Sequence, residues 1–179
     1  HYDHLERKTI KSIKKGTFIV PLGVGAILHG WGIAADRIVE LGWNESFDAE
    51  GIRITAVAGI HFSSRSFKDS NKTLWNSYIL QTNEHKVFWG GDSGYGAHYA
   101  DFYRRYGDFD WAALEIDAWN SGWPFVHLTP KQMVQAAEDL HARYVLPIHW
   151  GAYDLGNHQW DKSINLLTKE AKGRDFELI

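Results

Sequence analysis

Apolar and polar positions along this chain fall into short blocks that switch between a period near two and a period near 3.6. Residues 5–15 read as a helix with a lysine-bearing polar face, closed by Gly16. Residues 17–21 follow as a buried strand, 24–31 as a short helix ending at Gly32, and 37–41 as another short strand. Three strand-like runs come next, at 52–60, 74–82 and Lys86–Trp89. The last two are joined by Asn83-Glu84-His85, short enough for a hairpin. Residues 97–106 predict an aromatic-rich helix stopped by Gly107, and 111–116 a strand. Thr129-Pro130-Lys131-Gln132 is a strong helix start, because Thr129 can cap, Pro130 suits the first helical position and Gln132 can reach back. Met133, Val134, Ala137 and Leu140 give that helix one apolar face. A strand at 144–148 and a helix carrying Ile164, Leu167 and Ala171 complete the pattern. Strands and helices interleave throughout, so the class is α/β, strand-rich before Ala97. No repeat, low-complexity stretch or linker divides the chain.

Composition narrows the chemistry. With 179 residues and 44% apolar content the chain is one domain long and can support a core. Its 19 basic against 22 acidic residues, a net charge of −3, carry no basic footprint for nucleic acid. The absence of cysteine excludes disulfide scaffolds, zinc knuckles and thiol catalysis. Apolar runs such as 18–22 and 144–148 are far shorter than the ~20 residues a bilayer span needs. Ten histidines without cysteine leave His, Asp and Glu as the protein ligands for any metal. Nine tryptophans fit a rigid aromatic core, or a surface for sugar or lipid.

Four places carry candidate chemistry. His1-x-Asp3-His4 puts two imidazoles and a carboxylate just before a helix, where neighbouring side chains fan toward one point. Gly90-Gly91-Asp92-Ser93-Gly94-Tyr95 follows a strand directly. A carboxylate among glycines at a strand's C-terminal end sits where α/β proteins place ligands, and equally where a turn places a capping residue. His61 and His149 each end a strand-like run as well. If those C-terminal ends share one sheet edge, His61, Asp92 and His149 converge, the geometry a metal hydrolase needs. His127, in the aromatic stretch before the capped helix, is either a loop histidine or a proton donor beside the metals. Arg65 can clamp a phosphate or carboxylate. Ser93 lacks the G-x-S-x-G elbow of a serine nucleophile. His29, His85, His98, His141 and His158 read as surface or packing histidines.

Taken in order, H-x-D-H, an isolated His, G-D-S-G-Y and I-H-W-G resemble the metallo-β-lactamase fold. The branch most similar contains N-acylphosphatidylethanolamine-hydrolysing phospholipase D and its bacterial relatives. The resemblance extends over nearly the whole chain through Val20-Pro21-Leu22-Gly23, Asn71-Lys72-Thr73-Leu74-Trp75, Phe109-Asp110-Trp111-Ala112-Ala113 and His127-Leu128-Thr129-Pro130. It implies an αββα sandwich, here the C-terminal part of a single domain lacking its N-terminal strands, with an upstream segment completing the fold. Of the signature H-x-H-x-D-H the chain carries the second half, His1, Asp3 and His4; the first histidine would lie two residues before His1. The resemblance then implies two divalent metal ions, one held by that histidine with His1, His61 and Asp92, the other by Asp3, His4, Asp92 and His149. Zinc suits such ligands, with manganese or iron admitted. His127 matches a histidine that contacts substrate, and Asp3 and His127 are the candidate catalytic groups. Glu115 and Asp117 are candidates for orienting the imidazoles.

The function implied is hydrolysis by metal-activated water, on a phosphodiester such as a phospholipid. A lactonase acting on a sugar-phosphate lactone is the rival within the fold. Outside it, the rival is a non-catalytic carbohydrate-binding module built on the tryptophans. A small-molecule or lipid substrate is expected, no nucleic acid, and contact with a membrane surface through the aromatic stretch 119–125.

Overall fold

The computed structural model describes residues 1–179. Its main element is a seven-stranded sheet in the order β3 (Ser46–Ala49), β4 (Ile52–Val57), β5 (Ser77–Gln81), β6 (Lys86–Trp89), β7 (Phe109–Glu115), β8 (Ala142–Ile148) and β9 (Glu177–Leu178). The pairs from β3 to β6 are antiparallel, and those from β6 to β9 parallel. Since β5 runs against both neighbours, β4 points the same way as β6, β7 and β8. The C-terminal ends of these four strands therefore lie along one edge, the arrangement on which convergence of His61, Asp92 and His149 depends.

Strand parity gives the sheet two unlike faces. Phe88, Ala112, Leu114 and Val145 point to one side, where α3 (His98–Tyr106), α4 (Pro130–Asp139) and α5 (Lys162–Glu170) cover them. The core gathers there, with Tyr99 and Phe102 from α3, Met133 and Val134 from α4, and Leu167 from α5. The register puts Trp89, Trp111 and Leu146 on the other side, where they are 48%, 40% and 39% exposed.

Two parallel strands, β1 (Phe18–Pro21) and β2 (Ile38–Leu41), form a second sheet, connected through α2 (Val24–Gly30). Val20, Val24, Leu28 and Ile33 make its small core, against which Leu5 and Ile10 of the first segment pack. The architecture is thus mixed α/β with two sheets and covering helices.

The expected elements are met with shifted ends. Helix α1 spans only Arg7–Ser12, because Glu6 caps it by accepting the Lys8 and Thr9 N–H groups and the lysines beyond Ser12 bury nothing. The strand expected at 52–60 stops at Val57, so Ala58, Gly59 and Ile60 carry the chain loosely to His61. The run 74–82 is strand only from Ser77. Strands β3 and β9 are too short to show in the pattern. The capping box at Thr129 forms in full.

Candidate metal centre

The first segment folds into a tight turn, with the His4 and Leu5 N–H groups donating to the His1 carbonyl, so the three side chains of His1-x-Asp3-His4 emerge together. Arg65 fixes this turn. Its Nη1 donates to the carbonyls of Leu5 (2.9 Å) and His1 (3.3 Å), and its guanidinium lies over the rings of Tyr2 and Trp31. Arg65 thus uses Nη1 and the flat faces of its guanidinium to hold the turn, beside the cleft it helps to line.

Asp92 is the centre of the site. Its side chain is 7% exposed, and its Oδ2 lies 3.0 Å from His4 Nε2, 3.5 Å from His61 Nε2 and 4.0 Å from His1 Nδ1. Its Oδ1 is 3.4 Å from His149 Nε2, yet buried with no hydrogen-bond partner. Asp3 lies at the rim, 3.3 Å from His1 Nδ1 and 3.6 Å from His4 Nε2. The structure thus brings all six expected ligand residues together around one carboxylate.

Local backbone explains how they meet. His149 has φ 61°, in the left-handed region that side chains rarely adopt, at a cost of order 1–3 kcal/mol. The turn it forms sends the ring back over the sheet edge. Gly94 has a different task. A Cβ there would lie 1.7 Å from the Phe125 carbonyl oxygen, so only glycine lets the 119–127 loop pass and deliver His127. His61 Nδ1 donates to the Val126 carbonyl (2.9 Å), which leaves Nε2 bare and 2.9 Å from His1 Nε2. Phe62 packs on the rings of His1 and His61.

The electrostatics follow from burial. Burial holds the His61 imidazole down at about 4, neutral at physiological pH. Burial also lowers His127 and His149. The hydrogen bond to Asp92 outweighs burial at His4 and raises it. For Asp92 burial pushes upward, but the His4 hydrogen bond and the facing imidazoles His149, His4 and His61 prevail and hold the carboxyl at about 2.

Behind the cluster stands Glu115, 1% exposed. Its Oε1 accepts the Ser93 N–H (2.9 Å), and its Oε2 lies 2.7 Å from His127 Nδ1 and 3.6 Å from His149 Nδ1. Asp92, Glu115, His127 and His149 each offer an atom within 4.8 Å of the others. Asp117 does not join them. It accepts from Ser163 Oγ (2.7 Å) and lies 3.3 Å from His158 Nε2, which makes no hydrogen bond and whose ring stacks on Trp119, so it holds none of the site imidazoles. Trp119 and Trp123 donate inward, to Ser163 Oγ and the Ala118 carbonyl, and of the aromatic stretch Phe125 is the most exposed at 75%. A cleft of 520 Å³ opens beside His1, His4 and His61, lined by Val20, Ile27, Phe62, Leu74, Trp75 and Tyr78 among others.

A sheet edge carrying clustered imidazoles and carboxylates, beneath a second small sheet, defines the class of metallo-β-lactamase-fold proteins. Residues 1–150 match the family model described as the beta-lactamase superfamily domain, and the chain belongs to that family, as its motifs imply. An uncharacterised protein of Mycobacterium tuberculosis is 37% identical over 178 residues, covering 96% of this chain and 48% of its own length. The N-acyl-phosphatidylethanolamine-hydrolyzing phospholipase D 1 of Caenorhabditis elegans is 29% identical, covering 100% of this chain and 56% of its own. The chain therefore spans about half the length of these curated relatives. Among solved structures, a metallo hydrolase from Ignicoccus hospitalis superposes with a TM-score of 0.74 at 16% identity, over 100% of this chain and 71% of that one. At that identity the likeness speaks to the fold alone.

Proposed function

We propose that the protein is a metal-dependent hydrolase that directs water at a phosphodiester of a phospholipid-like substrate, as a phospholipase D does. The observation that carries this reading is the convergence of four imidazoles on Asp92, whose Oδ1 is buried without a partner. An orphaned carboxylate oxygen costs free energy unless something binds it, and bare nitrogens facing one another suit a shared cation. The donor set, nitrogen and oxygen without sulfur, fits divalent ions such as zinc, manganese or iron. His1, His61 and Asp92 would hold one ion, and Asp3, His4, Asp92 and His149 a second, with Asp92 common to both. Divalent cations so held supply Lewis acidity toward a phosphoryl oxygen and make water more acidic.

The chain's own groups do the rest. His127 accepts or returns a proton at Nε2, and Asp3 at the open rim takes part in proton transfer. The apolar cleft beside His1 and His61 receives the hydrocarbon part of the substrate, with exposed Phe62 on its wall, and exposed Phe125 meets a lipid surface. No helix is long and apolar enough to cross a membrane. The name of the nematode relative supports the phospholipid over a lactone.

We infer also that residues 1–179 are the C-terminal part of one domain. The second sheet has only two strands, and the apolar face bearing Trp89, Trp111 and Leu146 is what an upstream segment would cover.

Elemental analysis of protein purified without chelator, followed by assay on N-acylphosphatidylethanolamine vesicles and a sugar-phosphate lactone, tests the reading. About one to two metal equivalents with release of phosphatidic acid are expected. Turnover of the lactone alone moves the assignment to a lactonase. No metal uptake even after adding it back overturns the metallo-hydrolase reading.

A further inference from the structure

Glu115 stands behind two imidazoles at once. Its Oε2 is 2.7 Å from His127 Nδ1 and 3.6 Å from His149 Nδ1, and the two rings stack 5.6 Å apart at 13°. Only the His127 contact is a hydrogen bond; His149 Nδ1 is buried without one, and at 3.6 Å Glu115 merely faces it. The opposite oxygen of Glu115 is held by the Ser93 N–H, from the residue that follows Asp92, and the Leu128 N–H, from the residue that follows His127, also points at the carboxylate.

We infer that Glu115 is a positioning residue that sets the tautomer of His127. It accepts Nδ1–H of that ring and leaves Nε2 as the nitrogen free to take a proton. This deepens the hydrolase reading and rests on it, since it says which nitrogen His127 offers. A ring whose Nδ1–H is held by a carboxylate has a bare Nε2 that can accept a proton, and the resulting imidazolium is stabilised from behind. His127 thereby becomes a competent proton acceptor at the site's floor.

Glutamine at this position cannot do the same. Ser93 N–H and His127 Nδ1–H both need an acceptor, and an amide has one oxygen for the two of them. With its oxygen on Ser93, the amide NH₂ faces His127 Nδ1, which then must be the bare nitrogen.

The test is long-range ¹⁵N–¹H correlation of histidine rings in the zinc-loaded chain, with His127 assigned from the spectrum of His127→Gln. In the wild-type protein His127 is expected as the Nδ1–H form, against the intrinsic preference of free histidine. In Glu115→Gln it is expected to become Nε2–H, with kcat lowered about 10²-fold or more and KM little changed. A wild-type His127 in the Nε2–H form overturns the inference without recourse to any variant. So does a folded Glu115→Gln protein whose kcat stays within about twofold of wild type. Failure of the wild type to take up zinc overturns the metal assignment instead, and the wild-type His127 signal still decides the role of Glu115.

Discussion

Asp92 shows how much one carboxylate can organise. It is buried, held at about 2 by His4 and the surrounding imidazoles, and still keeps one oxygen unpartnered. Replacing it by asparagine keeps shape and removes the charge that both ions would share. Asp92→Asn is expected to weaken zinc binding by more than about 100-fold and abolish hydrolysis, read by competition with a chromophoric chelator. A variant that binds zinc as tightly as wild type would rule out the shared-carboxylate arrangement. His98 makes a separate case. Burial lowers it from 6.5 to about 4, and its Nδ1 has no partner. The unfolded chain takes up a proton there below pH 6.5 that the folded chain refuses, so this contribution to stability is present above that pH and is lost as pH falls toward 4. His98→Leu should flatten the decline of urea midpoints between pH 7 and 4.5 by one proton's share; an unchanged slope would mean the ring is protonated where it lies. That His61, Asp92 and His149 meet at one sheet edge was legible because each follows a strand. The sequence could not show that Arg65 would reach the carbonyls of His1 and Leu5, nor that Asp117 would accept from Ser163. Both outcomes depend on the path of loops that no local pattern records.

Elements position the site through their ends. Helix α4 starts three residues beyond His127, and its capping box fixes where the 119–127 loop must arrive. Thr129→Ala removes the acceptor for the Gln132 N–H and is expected to cost about 1 kcal/mol. The measurement is chemical denaturation, with kcat followed alongside. A loss of kcat larger than the loss of stability implies would locate the cap's role in holding His127. Gly94→Ala should be worse, because the clash is with the Phe125 backbone and no side chain can swing away. The cap at Thr129 and the strand Lys86–Trp89 were readable to the residue, since capping and strong apolar runs are local signals. Strand β3 was not, because four residues with only Phe47 and Ala49 partly buried make no pattern until β4 lies beside them.

Across the whole molecule, the six proposed ligands come from four segments, at 1–4, 61, 92 and 149, separated by most of the chain. The parallel setting of β4, β6 and β8 brings three of them to one edge, while the fourth is held by Arg65 and the small core of the second sheet. Anything that binds all four ties both sheets together, and binding to the folded form alone stabilises it by mass action. Free zinc at 100 times its dissociation constant would add about 2.7 kcal/mol. For a chain of this size that corresponds to a rise of about 5–10 °C in the melting temperature. The rise should disappear with a chelator and be absent in Asp92→Asn, whereas Glu115→Gln should retain most of it, because Glu115 acts behind the rings. If zinc left the wild-type melting temperature unmoved, the four segments would be held by packing alone, and the convergence on Asp92 would have to be explained without a cation.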